Sequence, residues 1–303
     1  MDGIINVYKE AGYTSHDVVA KLRGILRERK IGHTGTLDPQ AVGVLPVCIG
    51  KATKLCELLL EKEKTYEAVM LLGVATDTED MTGTVLSQSS VRADEAAVRR
   101  AAEKFTGVYG QVPPMYSALK VDGKRLYELA RDGKEVERKP REVEIFENEP
   151  VNFQYREDGS VERVRLRIRC SKGTYIRSLL RDMGEFLGCG ACMESLVRTQ
   201  AGEFCLPEAV TLSQIETARD ENRLQELVLP VERMLSRYPA AEILPEFERY
   251  LYNGNLLEPQ MLHMFPDAAE NRVRLYDTKG ALVGLYRFDT KEKRLRPDKM
   301  FLP

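Results

Sequence analysis

Along the chain, the hydrophobic pattern alternates between the two-residue period of strands and the longer period of helices. Residues 3–8 (Gly-Ile-Ile-Asn-Val-Tyr) predict a short strand. Thr14 and Ser15 then offer an N-cap for a helix to about Glu28, striped by Val18, Val19, Leu22, Ile25 and Leu26. Residues 52–60 read as helical and 65–74 as a buried strand centred on Val69 to Leu72, with a polar connection at 77–83 leading into a strand at 84–86. Residues 93–106 carry a helical pattern capped by Asp94. The clearest strand is 161–170, with Val164, Leu166, Ile168 and Cys170 on one face and Arg163, Arg165, Arg167 and Arg169 on the other. Such a row of arginines reads as the wet face of a half-buried sheet or as a basic surface. A helix follows that buries Ile176, Leu179, Leu180, Met183 and Leu187 and ends at Gly188.

Near Pro239 the pattern changes. After a helical segment at about 224–235, Pro239 and Pro245 punctuate a link to a tail. There Val273 to Tyr276, the turn Asp277-Thr278-Lys279-Gly280 and Ala281 to Tyr286 predict a hairpin. Residues 239–303 therefore form a candidate small β-rich domain behind a larger one at 1–238. Pro113-Pro114 opens a stretch at about 110–140 in which aromatics and cations interleave. That stretch reads as an exposed helical insertion or as a surface touching RNA bases and backbone.

At 303 residues there is ample chain for a buried core. No apolar run approaches membrane-spanning length and no signal pattern opens the chain, so cytoplasm is expected. Cys48, Cys56, Cys170, Cys189, Cys192 and Cys205 mostly sit in apolar stretches, as reduced core thiols do. Cys189-x-x-Cys192 lacks a second ligand pair at metal-site spacing, and three histidines make a metal triad improbable, so no metal is expected. A net charge of −2 says nothing for nucleic acid by itself. Its distribution says more. Lys21, Arg23, Arg27, Arg29 and Lys30 form one basic cluster. Lys120, Lys124, Arg125, Arg131, Lys134, Arg138, Lys139 and Arg141 form another, diluted by Asp122, Glu128, Asp132, Glu135 and Glu137. Both are solvated helix faces or patches that steer toward phosphates.

The run Gly32-His33-Thr34-Gly35-Thr36-Leu37-Asp38-Pro39, continuing to Gly50, is the most informative stretch. Composition alone makes it a turn with a capping carboxylate, and the Lys-Ser/Thr ending of a phosphate loop is missing. Five further segments accompany it: Tyr8 to Val19, Lys64-Thr65-Tyr66, Pro113 to Ala118, Cys170 to Arg177, and Leu196 to Thr199. In this order the set resembles the TruB family of pseudouridine synthases over roughly residues 3–235. One departure is Glu10, where many relatives have proline after the lysine. The tail is loosely similar to the PUA-type RNA-binding domain.

The resemblance implies an α+β chain of the pseudouridine synthase fold: a mixed, largely antiparallel central sheet flanked by helices, an RNA-gripping insertion at 110–140 and a PUA-like domain at 239–303. It implies isomerisation of uridine 55 in the tRNA T-loop to pseudouridine, without a cofactor. Asp38 becomes the catalytic carboxylate, attacking C1′ or removing the C2′ proton, with Arg177 as its partner and Tyr66 as the active-site tyrosine. His33 becomes the residue that fills the gap left by a flipped base. Substrate contact is further assigned to Gly35, Tyr175, Lys9, Lys120, Arg125 and Arg131. The implied partner is the tRNA T-stem-loop, bound by a monomer with no obligate protein partner and no membrane. Two rivals are a tRNA-binding folding factor and the catalytic subunit of an RNA-guided pseudouridine synthase.

Overall fold

The computed structural model describes every residue except Asp122, Glu135, residues 266–270 and Pro303. Two of the acids expected to dilute the second basic cluster, Asp122 and Glu135, thus lie outside the described residues. In chain order the first strands are β1 (Gly3–Lys9), β2 (Ile31–His33), β3 (Val42–Ile49), β4 (Lys64–Leu72), β5 (Val74–Thr76), β6 (Val85–Gln88) and β7 (Gly107–Gln111). The two-residue strands β8 (Lys120–Val121) and β9 (Lys124–Arg125) follow, then β10 (Arg141–Tyr155), β11 (Val161–Cys170), β12 (Ala191–Ala201) and β13 (Phe204–Cys205). The main sheet runs β1-β3-β12-β4-β11-β10-β7, with β2 joined to β3 and β13 to β12. Within it only β3 and β12 pair in parallel, so the sheet is mixed and largely antiparallel.

Side-chain alternation decides which face each strand buries. Along β11, Val164, Leu166, Ile168 and Cys170 enter a core shared with Tyr66, Ala68 and Met70 of β4. Helices α3 (Glu95–Lys104) and α5 (Ile176–Phe186) cover that face through Val98, Ala101, Leu179, Leu180 and Met183. The opposite face settles the arginine row of β11. Arg163 pairs with Glu194 at 2.9 Å, Arg165 with Glu67 at 3.8 Å, Arg167 with Glu147 and Glu149 at 2.7 and 2.6 Å, and Arg169 with Glu63 at 2.7 Å. These are cross-strand ion pairs on a solvated surface, each worth little on its own. Their charge is already matched, so the row is a wet sheet face.

At the other end of the sheet the apolar run of β3 is buried on both faces. Val44 and Cys48 point into one cluster with Ile4, Leu55 and Phe204. Leu45, Val47 and Ile49 point into another with α1 (Ser15–Leu26) and α6 (Leu212–Asp220). Thr14 is the expected N-cap of α1, and the structure adds a reciprocal capping box with Asp17.

Four boundaries differ from expectation. Residues 52–60 divide into a 3₁₀ segment, Gly50–Leu55, and a short helix α2 (Cys56–Leu60). The strand expected at 65–74 stops at Leu72, because Gly73 takes a φ of +86° that an extended strand cannot hold. The strand expected at 84–86 is displaced to β6. The helix expected at 224–235 is two pieces, the 3₁₀ turn Leu224–Glu226 and α7 (Val231–Met234), since Pro230 has no amide to donate.

The insertion carries α4 (Leu126–Arg131) beside β8 and β9, and Lys120, Arg125 and Arg131 are exposed on it. Beyond it a C-terminal β domain holds β14 (Ala240–Glu242), β15 (Arg272–Tyr276), β16 (Leu282–Asp289) and β17 (Arg294–Met300) in that spatial order, with α8 (Glu248–Tyr252) alongside. Its Leu285 and Phe301 join Leu55, Leu59 and Tyr238 in one apolar cluster, so the tail packs on the body of the molecule. Among the described residues no helix is long and apolar enough to cross a membrane.

One close approach makes a test. Gly43 opens β3 with a φ of +106°, and a Cβ there would lie 2.3 Å from the carbonyl oxygen of Arg198 on β12. Gly43→Ala is expected to cost about 1–3 kcal/mol in denaturant-midpoint measurements. An unchanged midpoint would show that the β3–β12 junction tolerates a side chain.

Candidate active site

Asp38 lies in the irregular loop between β2 and β3, and its position is set by groups that satisfy the loop's backbone. The buried Ser15 hydroxyl, at the start of α1, accepts from the Leu37 amide at 2.9 Å. The Gly12 amide donates to the Pro39 carbonyl at 2.9 Å, and the Thr34 amide to the Pro46 carbonyl at 3.1 Å. Lys9 supplies a further anchor. Its ammonium donates to the carbonyls of Glu10, Tyr13 and Pro39 at 3.0, 2.6 and 3.0 Å, and the residue is fully buried. Burial pushes that ammonium down to about 8, while the neighbouring Asp38 pulls the other way. The donors of Lys9 are thus used inside the protein, where it ties the two motifs around Asp38 together. Gly35 is held in a similar way. It is buried, its amide donates to His33 Nδ1 at 3.3 Å, and its carbonyl accepts from Arg198 at 3.3 Å.

Arg177 sits in the first turn of α5. Its Nη2 donates to Asp38 Oδ1 at 2.9 Å and its Nε lies 2.9 Å from Asp38 Oδ2, a two-point pair that fixes the plane of the carboxylate. The remaining donors reach the Thr78 and Tyr116 carbonyls, both at 3.0 Å. The arginine side chain is 5% exposed and the aspartate side chain 34%, so the counter-ion is sealed while the carboxylate remains reachable. Asp80 stands 3.9 Å from Arg177 Nε and is held in turn by Thr78 and Thr82. In sequence the run 77–83 reads only as a polar connection, and nothing in it marks this second carboxylate.

Tyr66 is on β4 beneath the loop, its Cα register partners being Ile168 on β11 and Arg198 on β12. Burial raises its hydroxyl above the usual tyrosine value, so the phenol is protonated at neutral pH. His33 is half-buried, and both burial and the nearby Arg198 charge lower it. Tyr175 is the N-cap of α5. Its amide and carbonyl are both gripped by the buried Gln111 side chain, at 2.8 and 3.0 Å. Gln111 was also missed, because a single glutamine at a strand end carries no motif signal. The structure thus brings Asp38, Tyr66, Arg177, His33 and Tyr175 to one site. Lys120, Arg125 and Arg131 remain on the insertion, which reaches the cluster through Gln111 and the Tyr116 carbonyl; Arg125 and Arg131 both lie over the Tyr127 ring.

A reachable carboxylate held by a sealed guanidinium, beside a buried neutral phenol, suits chemistry at a sugar carbon or on the base attached to it. Comparison with known proteins agrees. Residues 23–176 match the family described as TruB family pseudouridylate synthase (N terminal domain), and residues 177–236 match the tRNA pseudouridylate synthase B C-terminal domain. The chain belongs to the TruB family of pseudouridylate synthases. It is 50% identical over 307 residues to the tRNA pseudouridine synthase B of Lachnoclostridium phytofermentans, with 100% of each chain covered. With that of Bacillus pumilus identity is 41% over 303 residues, covering 99% of this chain and 97% of the relative. Among solved structures, a Cbf5-Nop10-Gar1 complex matches with a TM-score of 0.72 and 27% identity, over 99% of this chain and 85% of that one.

His33 gives a pH test. Its folded value lies below the ordinary 6.5, so between those two values the unfolded chain binds the extra proton. His33 therefore contributes a loss of stability as pH falls from 6.5 through its folded value. Unfolding midpoints across that window should be flatter for His33→Gln, and identical slopes would contradict the burial of the ring.

Proposed function

We propose that this chain isomerises uridine 55 in the T-loop of tRNA to pseudouridine, acting in the cytoplasm as a monomer on bare tRNA. The observation that carries this reading is the two-point Asp38–Arg177 pair with its aspartate facing outward. The curated relatives' printed name, tRNA pseudouridine synthase B, supports the substrate class.

In this reading the uridine leaves the loop stack and enters the site base first, and His33 takes the vacated space. The N1–C1′ bond breaks, the base turns, and C5 bonds to C1′. The electron pair of the departing C5–H bond restores the ring, so atoms and oxidation state balance within the nucleotide. Asp38 attacks C1′ or removes the C2′ proton. In either route Arg177 keeps it aimed. Tyr66 presents its ring to the uracil as a neutral phenol, consistent with the raised value of its hydroxyl. Tyr175 lines the pocket from the start of α5. Lys120, Arg125 and Arg131 contact phosphates from the insertion at 110–140. Residues 1–238 form the catalytic domain and 239–303 a PUA-like RNA-binding domain.

The test is position-by-position pseudouridine mapping on a bare tRNA transcript. Wild type is expected to convert position 55 without guide RNA or protein partner, and Asp38→Asn to lose at least about 10³-fold in rate. Equal conversion by the two proteins would overturn the catalytic assignment and favour a folding factor. Conversion only with added guide RNA would favour the RNA-guided class.

A further inference from the structure

Arg198 is the largest of the fully buried side chains, at 1% exposure, and among the described residues it forms no salt bridge. A guanidinium in that position is costly, and an apolar side chain of similar volume would avoid the desolvation. Arg198 instead spends its planar donors on backbone. Its Nε donates to the Val44 carbonyl at 2.6 Å, Nη1 to Thr36 at 3.4 Å and Nη2 to Gly35 at 3.3 Å. Gly35 and Thr36 lead into Asp38, and Val44 lies where the chain has left the loop for β3. The Arg198 charge is also near enough to the Tyr66 hydroxyl to oppose the effect of burial on it. Backbone register repeats the arrangement, for Arg198 stands opposite Tyr66 on β4 and opposite Gly43 on β3. At Gly43 the two backbones are too close for a Cβ.

We propose that Arg198 is a positioning residue of this active site, holding both ends of the Asp38 loop in one rigid frame with the Tyr66 strand opposite it. The inference rests on the proposed reaction but assigns a separate task from that of Arg177. Arg177 neutralises and aims the carboxylate; Arg198 fixes the spacing between the carboxylate's loop and the phenol. Only a fork-shaped cation reaches these three carbonyls at once. A lysine keeps the charge and loses the geometry.

The experiment compares wild type, Arg198→Lys and Arg198→Met in single-turnover pseudouridine formation, in tRNA affinity, and in the NMR titration of His33. Arg198→Lys should slow conversion roughly 10²-fold while affinity stays within about twofold, as expected when only alignment is lost. Its His33 titration should stay near wild type, because the charge remains. Arg198→Met should show the same loss of rate and an upward move of His33, whose value the Arg198 charge holds down. If the methionine variant does not fold, the lysine variant decides alone. A wild-type rate in either folded variant, or affinity falling in parallel with rate, overturns the proposal. A wild-type protein that converts no uridine defeats the functional reading instead, which separates the two failures.

Discussion

The structure depends on keeping one carboxylate aimed and reachable at the edge of the sheet. Arg177 holds Asp38 by two contacts at 2.9 Å, one to each carboxylate oxygen. The pairing works because its two members differ in exposure. Arg177 is sealed by α5 and by the Thr78 and Tyr116 carbonyls, so water does not compete for it. Asp38 faces outward, where a nucleotide can approach. Were both exposed, solvent would screen the pair to little effect; were both sealed, no substrate could reach it.

Holding that geometry requires an unusual density of buried cations around a loop with no regular structure. Lys9 binds the carbonyl after Asp38, and Arg198 binds those before it and beyond it. Ser15 pins the Leu37 amide from the first turn of α1. These groups come from β1, α1 and β12, far apart in sequence, and the parallel β3–β12 pairing brings them together. The insertion enters the same network at Tyr116, so the segment that carries Lys120, Arg125 and Arg131 also contributes a carbonyl to the partner of Asp38.

Much of this is legible in the sequence wherever a periodic pattern or an ordered motif exists. The alternation of β11, the N-cap of α1 at Thr14 and the Asp94 cap of α3 are local signals, and all appear as read. Asp38, Tyr66 and Arg177 were found because each lies inside a recognisable motif, and the structure brings them together. Lys9 and Gly35 turn their polar groups inward, which a residue type alone does not tell. Asp80, Gln111 and the clamp made by Arg198 were missed for a related reason. Their partners are backbone carbonyls and amides, or side chains remote in sequence, which leave no residue pattern to read. The arginine row of β11 shows the converse: the acids that neutralise it sit on other strands and in the adjoining segments.

The central claim is that Arg177 serves Asp38 more than it serves RNA. Substituting Arg177→Met and measuring single-turnover conversion of uridine 55 alongside tRNA affinity tests it most directly. The account predicts a rate loss of about 10²-fold or more with affinity nearly unchanged, because the guanidinium is buried behind the carboxylate. Rate and affinity falling together would contradict it, and would make Arg177 an RNA contact.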